Sequence, residues 1–164
     1  MQSQIISDYL LSHQLLQALP AAVYTCNATG YIQLYNKAAV ELWGREPIVG
    51  EDLWCGSWKI YKPDGSPLPL DECPMAITLR EGRKVEGEEI IIEKPNGERR
   101  VIMPYPQAIF DDSGRIAGAV NMLLDITDKK ESEKGRQVDR GEVRFQKSSA
   151  LKSPYTANPV IVIA

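Results

Sequence analysis

Three apolar segments separated by two turn motifs, between residues 85 and 126, constrain the fold more than any other feature of this sequence. The turn motifs are Pro95-Asn96-Gly97 and Asp111-Asp112-Ser113-Gly114. Clusters of Pro, Asn, Asp and Gly between β-branched segments are typical of β-hairpins. We therefore predict three consecutive strands joined by tight turns.

Two prolines interrupt the middle strand of the three. Pro104 and Pro106 lie two residues apart, so the two positions that lack an N–H fall on the same edge of the strand. Proline cannot donate a hydrogen bond to a neighbouring strand. We expect the ladder on that edge to be broken or bulged.

The first part of the chain predicts two more strands and a short helix. AVYTCNATGYIQLYN, residues 22–36, contains two strand-like segments around a turn in which Gly30 can take a positive φ. Asn36 is a favourable N-cap for a helix over 37–44, which Gly44 ends.

A second helix is predicted from Pro74 to Glu81, because proline is favoured in the first turn of a helix and Gly82 follows the last. Between the two helices, residues 52–74 are rich in Trp, Pro and Gly, which indicates a long irregular segment. The resulting order is β-β-α, loop, α-β-β-β. This order predicts an α+β domain, in which an antiparallel sheet of five strands is covered on one face by the helices.

The N-terminal segment predicts an amphipathic helix over residues 1–19. Pro20 ends it, because proline cannot continue a helix. The apolar residues at helical spacing are Ile5, Ile6, Tyr9, Leu10, Leu16 and Leu19.

The last strand is nearly apolar on both faces. One face carries Ala119, Asn121 and Leu123, and the other carries Val120, Met122 and Leu124. A strand of this composition needs cover on both faces. The helices can cover one face, so the N-terminal helix or a second subunit must cover the other, and we predict a homodimer.

Composition excludes several classes of protein. A chain of 164 residues that is 43% apolar is expected to form one main core. A net charge of -3 without a basic stripe argues against nucleic-acid binding. The sequence contains neither a continuous apolar segment of about 20 residues nor a basic leader, so we expect a cytoplasmic protein without a membrane span. Cys26, Cys55 and Cys73 lack the spacing of a zinc site and are odd in number, which indicates reduced thiols and no metal.

Residues 56–130, from GSWKIYKPDG to DITDKK, resemble the second half of a PAS domain of bacterial sensor histidine kinases. AAVYTCNATGYIQLYNKAAVELWG, residues 21–44, resembles the first half, and the Asp-Ile-Thr motif at 125–127 is the most specific part of the match. The resemblance implies a five-stranded sheet that cups a small cavity beneath the helices. It also implies a last strand that passes a signal to an output domain, as in two-component systems.

On this reading residues 20–127 form the PAS domain, and Asp125, Thr127 and Asp128 form the signal junction. Asp128 with Glu131 is a variant of the capping box, which predicts an output helix over 128–135 that Gly135 ends. The alternative role of Asp125 and Thr127 is to satisfy backbone groups at the strand end.

The tail, residues 136–164, lies outside the resemblance and contains strand-like segments. It could pair with the sheet edge, cross to a partner subunit, or belong to a neighbouring domain.

Cofactor chemistry is disfavoured by the residues at the matching positions. A haem-binding relative would carry a histidine on the second helix, but the only histidine is His13, in the first. A photoactive flavin relative would carry a reactive thiol where Leu53 stands, and Cys55 is displaced from that position by two residues. Redox sensing by Cys55 is a further hypothesis, although no basic neighbour in the sequence would lower its pKa.

The ligand-pocket candidates are residues of the last strand, the second helix and the tryptophan-rich segment: Asn121, Leu123, Met75, Leu79, Trp43 and Trp54. Asn121 is the most informative, because an amide on an inward face must bond either to backbone or to a ligand. Core packing is the alternative for all six residues.

No motif of an enzyme is found, and no kinase module is present in the sequence. Two hypotheses remain. The chain is a signal-input module that binds a small molecule and dimerises, or it is a ligand-free dimerisation adaptor whose core is filled by side chains.

Overall fold

The computed structural model of the protein describes residues 2–137. Its helices before the junction are α1 (Gln2–Ala18), α2 (Lys37–Trp43) and α3 (Pro74–Glu81), with a 3-10 turn at Leu70–Glu72. Its strands are β1 (Ala22–Asn27), β2 (Ile32–Tyr35), β3 (Lys59–Tyr61), β4 (Ile90–Glu93), β5 (Arg99–Phe110) and β6 (Ile116–Asp125). The strands form one antiparallel sheet in the order β2-β1-β6-β5-β4-β3.

The predicted hairpins are confirmed. Gly97 and Gly114 take positive φ values of 86° and 78° in the turns between β4 and β5 and between β5 and β6. In the second turn the Asp111 carboxylate accepts hydrogen bonds from the backbone N–H groups of Ser113 and Arg115, at 2.9 and 3.0 Å. Asp side chains stabilise turns by local hydrogen bonds of this kind.

The helix ends are confirmed where capping chemistry predicted them. Asn36 accepts a hydrogen bond from Ala39 N at 3.0 Å and begins α2, and Gly44, with φ of 67°, ends it. Pro74 begins α3, and Gly82, with φ of 66°, follows its last residue. Glycine takes this left-handed conformation without the clash that a Cβ would produce.

The sheet has six strands, one more than predicted, because β3 lies in the segment expected to be irregular. Ile60 of β3 pairs with Ile92 of β4, and on the other side its carbonyl accepts from Leu68 N at 3.0 Å. A strand of three residues flanked by Gly and Pro shows no alternation that the sequence could reveal.

The prediction for the two prolines is confirmed, and the ladder is broken rather than bulged. The Val101 N–H and carbonyl bond to Thr127 and Ile126, which follow β6. The backbone groups of successive residues in a strand point to opposite edges, so those of Pro104 and Pro106 point towards β4. The pairing of β4 with β5 ends at Ile90 and Ile102, before either proline. The missing donors therefore lie beyond the part of β5 that pairs with β4.

The core lies between the inner face of the sheet and helices α2 and α3. Its largest fully buried side chains include Trp43 of α2, Met75 of α3, and Tyr24, Ile92 and Ile102 of the sheet. The predicted faces of β6 are confirmed, since Ala119, Asn121 and Leu123 are buried. The helices thus cover one face of the sheet, as predicted.

The outer face of the sheet and the N-terminal helix keep apolar side chains exposed in the single chain. Met122 and Leu124 are 41% and 45% exposed, and Leu10 and Leu15 of α1 are more than half exposed. Helix α1 is attached at its C-terminal end, where Gln17 bonds to the backbone of Tyr35 and Lys37. The N-terminal helix is confirmed, whereas cover of the outer face by this helix stays a prediction.

The segment after β6 is helical over residues 127–137, which corrects two predictions. The helix does not end at Gly135, because a single glycine inside a helix costs only about 1 kcal/mol. Asp128 lies within the first turn and is not its N-cap. The tail predictions for 138–164 lie outside the described residues. Among the described helices, none is long and apolar enough to cross a membrane.

Candidate functional site

Asn121 lies on the inner face of β6 and is bonded to the protein at both ends of its amide. Its Oδ1 accepts from Tyr105 N at 3.0 Å, and its Nδ2 donates to the Tyr24 hydroxyl at 3.1 Å. The inward-facing amide therefore bonds to a backbone group of β5 and to a side chain of β1.

The Tyr24 hydroxyl continues this connection towards the loop before β3. It donates to the carbonyl of Trp54 at 2.7 Å, and its ring meets Trp43 edge-on, with ring centroids 5.1 Å apart. Burial raises the pKa of Tyr24 well above its usual value, so the phenol stays protonated and can donate. A polar path thus runs through the core from the loop to β6 and β5.

The structure brings the six candidate pocket residues together in one core. Five are buried, and Trp54 packs against them partly buried. Among the surface grooves of the described domain are four of about 380 to 590 Å³, and Leu123 is the one of the six residues that lines any of these four.

Trp43 has a polar group that the described residues leave without a partner. Its side chain is fully buried, and its indole Nε1 has no hydrogen-bond acceptor within the described part of the chain. A Cβ at Gly56 would come within 2.4 Å of its ring, so Gly56 is required for this packing. Sequence reasoning selected Trp43, but nothing in the sequence indicates an unpaired N–H.

The predicted signal junction is a compact hydrogen-bonded turn. The Asp125 carboxylate accepts from the Thr127 backbone N–H at 2.9 Å and from its hydroxyl at 2.6 Å. The Thr127 hydroxyl oxygen also accepts from Val101 N at 2.9 Å, and Ile126 N donates to the Val101 carbonyl at 2.9 Å. The end of β6 is therefore fixed to β5 by side-chain and backbone bonds together.

A carboxylate does support the start of the following helix, but it belongs to Asp125 and not to the predicted Asp128. Arg100 of β5 lies 3.7 Å from the same carboxylate, a contact between partly exposed charges. Sequence reasoning missed Arg100 and Val101, because their partners are about 25 residues away along the chain.

The family model of the PAS domain matches residues 20–128, which is most of the chain. This chain belongs to the PAS domain family. PAS domains are sensory and signal-transduction modules, and they commonly dimerise and relay to output domains. The match begins and ends within one residue of the predicted domain, 20–127.

Solved PAS structures share the fold of this domain. A sensory box histidine kinase/response regulator from Burkholderia thailandensis has a TM-score of 0.53 at 20% identity, with 83% of this chain and 97% of that chain covered. The PAS domain of an HTR-like protein from Haloarcula marismortui has a TM-score of 0.57 at 12% identity, with 76% and 97% covered. No curated protein matches this sequence.

The cysteines of this PAS domain are poorly placed for reaction. All three are free and buried, and burial raises the pKa of Cys26 and of Cys73 to about 12. Burial also raises the pKa of Cys55, although hydrogen bonds to Ser57 oppose the shift. A buried thiol with a raised pKa forms little thiolate, the species that reacts with oxidants.

His13 lies away from the core of the PAS domain. It lines a surface groove of about 520 Å³ together with Gln17, Tyr35 and Glu46. Within residues 2–137, no cluster of three or more His, Cys, Asp or Glu side chains is arranged to hold a metal ion.

Proposed function

We propose that this PAS domain is a non-catalytic signal-transduction module that dimerises and passes a conformational change through Asp125-Ile126-Thr127 into the following helix. The observation that carries the proposal is the bonded junction itself. Because Thr127 joins Asp125 to Val101, a shift of β6 relative to β5 changes the hydrogen bonds at the start of the helix.

Dimerisation is supported by the exposed outer face of the sheet. Met122, Leu124 and Tyr105 lie next to one another across β5 and β6, and all three are exposed in the single chain. Exposed adjacent apolar side chains are typical of protein–protein interfaces. The occupant we propose is the same face of a second subunit.

The output partner we propose is a signalling protein of the two-component type, in the cytoplasm. The support is the shared fold with the Burkholderia structure, which is described as a histidine kinase/response regulator. The described residues of this chain carry the input and junction parts of such a protein.

Two hypotheses for the input remain, each with its own observation. Small-molecule sensing in the core is favoured by the buried, unpaired indole N–H of Trp43, which an acceptor on a ligand would satisfy. A ligand-free adaptor is favoured by the Asn121 amide, which is already bonded to protein groups. Redox sensing through Cys55 is the weakest hypothesis, because burial of this thiol raises its pKa.

Native mass spectrometry of freshly purified protein, with an absorption spectrum of the same sample, tests both parts of the proposal. A dimer with additional mass identifies a ligand and supports small-molecule sensing. A dimer without additional mass or visible absorbance supports the adaptor. A monomer at micromolar concentration in native spectra and in sedimentation velocity contradicts dimerisation.

A further inference from the structure

Trp54 has an unusual backbone conformation. Within residues 2–137 it is the single non-glycine residue with a positive φ, 57°. Bulky residues are rarely found there, because the Cβ is too close to the neighbouring carbonyl oxygen. Cys55 N donates to the Leu53 carbonyl at 2.6 Å, so Trp54 is the centre of a γ-turn of the strained, positive-φ form.

Contacts on three sides hold Trp54 in this conformation. Its N–H donates to the Gly30 carbonyl at 2.8 Å, and its carbonyl accepts from the Tyr24 hydroxyl at 2.7 Å. Its indole lies directly on Gly30, where an added Cβ would come within 2.3 Å of Nε1. Residues in strained conformations persist only while their surroundings determine them, and such residues cluster at switch regions.

The same Tyr24 hydroxyl connects the strained turn to the strand that leads to the junction. It accepts from Asn121 Nδ2 on β6, and Asn121 in turn accepts from Tyr105 N on β5. Asn121 precedes Asp125 by four residues on the same strand. Two side-chain hydrogen bonds therefore connect the Trp54 carbonyl to β6, the strand that leads to the junction.

We propose that residues 53–55 form a two-state input element of this PAS domain, in which the Tyr24 hydroxyl holds Trp54 in its positive-φ conformation. When that hydrogen bond breaks, Trp54 relaxes to a negative φ, and the freed hydroxyl changes the position of the Asn121 amide. This input element deepens the proposed function. It rests on the proposed function for one step, the transmission of the change from Asn121 to the junction.

The test removes one oxygen atom from the path. Tyr24→Phe keeps the ring in the core and deletes both hydrogen bonds of the hydroxyl. We expect amide hydrogen exchange at Cys55 and at Tyr105 to become about tenfold faster, the factor that one lost hydrogen bond produces. The matched control is Tyr61→Phe, because the Tyr61 hydroxyl donates to Glu93 at 3.2 Å in the same sheet but outside the path.

The proposal is overturned if Tyr24→Phe leaves the Tyr105 exchange rate within about twofold of the wild type, or if Tyr61→Phe gives the same change. Relaxation-dispersion NMR of the wild-type protein serves if the Tyr24 variant does not fold. A common exchange rate for the Cys55 and Tyr105 amides supports the two-state element. Unrelated rates, or the absence of dispersion at both amides, contradict it.

The Ile126 amide separates this inference from the proposed function. If Tyr24→Phe changes exchange at Tyr105 but not at Ile126, the input element is supported and the relay to the junction is not. If Tyr24→Phe changes the exchange rate of neither amide, while substitutions at Thr127 change the exchange rate of the Ile126 amide, the input element is wrong and the junction proposal stands.

Discussion

Two buried asparagines connect elements of this PAS domain through both ends of their side-chain amides. Asn36 accepts from Val23 N and Ala39 N, each at 3.0 Å, and donates to the Ala21 carbonyl at 2.8 Å. Asn121 joins β5 to β1 in the same way. Removing either amide would leave its buried partner groups unpaired. A buried N–H or carbonyl without a partner has lost its hydration without compensation, so the removal lowers the free energy of unfolding.

We expect Asn36→Ala to lower the free energy of unfolding by about 3 kcal/mol, because it removes a helix cap and leaves buried backbone groups of β1 and α2 unpaired. Urea unfolding followed by tryptophan fluorescence measures the change. The control is Asn96→Ala, which removes an exposed turn bond to Glu98 N and is expected to cost less than about 1 kcal/mol. Equal losses in the two variants would show that burial of Asn36 does not matter.

At the scale of elements, β5 and β6 form the longest pairing of the sheet, and β6 ends at the junction. Thr127 is the side chain that joins the end of β6 to β5, through the Val101 N–H. Its hydroxyl also donates to Asp125, so one residue sets both the strand end and the helix start.

We expect Thr127→Val, which keeps the shape of the side chain, to raise amide exchange at Val101 and Ile126 by about tenfold, because one hydrogen bond is lost. Hydrogen exchange measured by NMR reports both amides. Thr25→Val makes the same chemical change on the outer face of β1, away from the junction, and is expected to leave both amides unchanged. If the two variants behave alike, Thr127 does not couple the strands.

At the scale of the whole molecule, the described residues leave apolar side chains exposed on the outer face of the sheet around Met122 and on α1, where Leu10 and Leu15 are exposed. Near the C-terminal end of helix α1, Gln17 donates to the Tyr35 carbonyl and the Leu16 carbonyl accepts from Asn36 Nδ2. Each fully buried large apolar side chain contributes about 1.5–3 kcal/mol. A dimer that covers the sheet face would recover this contribution.

We expect Met122→Glu to weaken dimerisation by roughly 10- to 100-fold, because it places a charge in the proposed interface and removes apolar contact. Sedimentation equilibrium measures the dissociation constant, and circular dichroism checks that the fold is retained. Ile48→Glu is the control, since Ile48 is 54% exposed but lies outside the sheet. A dissociation constant that Met122→Glu leaves unchanged would place any dimer interface elsewhere.

The sequence by itself determined those parts of the protein that depend on local chemistry. The hairpin turns, the helix from Pro74 to Glu81, the Asn36 cap and the alternation of β6 are each specified by residues within a few positions of one another. The bulk of the sheet follows from these signals, and the family resemblance rests on the same residues.

Only the tertiary structure decided the third strand, the bond between Val101 and Thr127, and the partners of Asn121. Tyr24 and Asn121 are 97 residues apart in the chain, and Val101 and Thr127 are 26 apart. The positive φ of Trp54 likewise depends on Tyr24 and Gly30, which belong to other elements. These features arise from contacts between distant residues, which local propensity and periodicity do not encode.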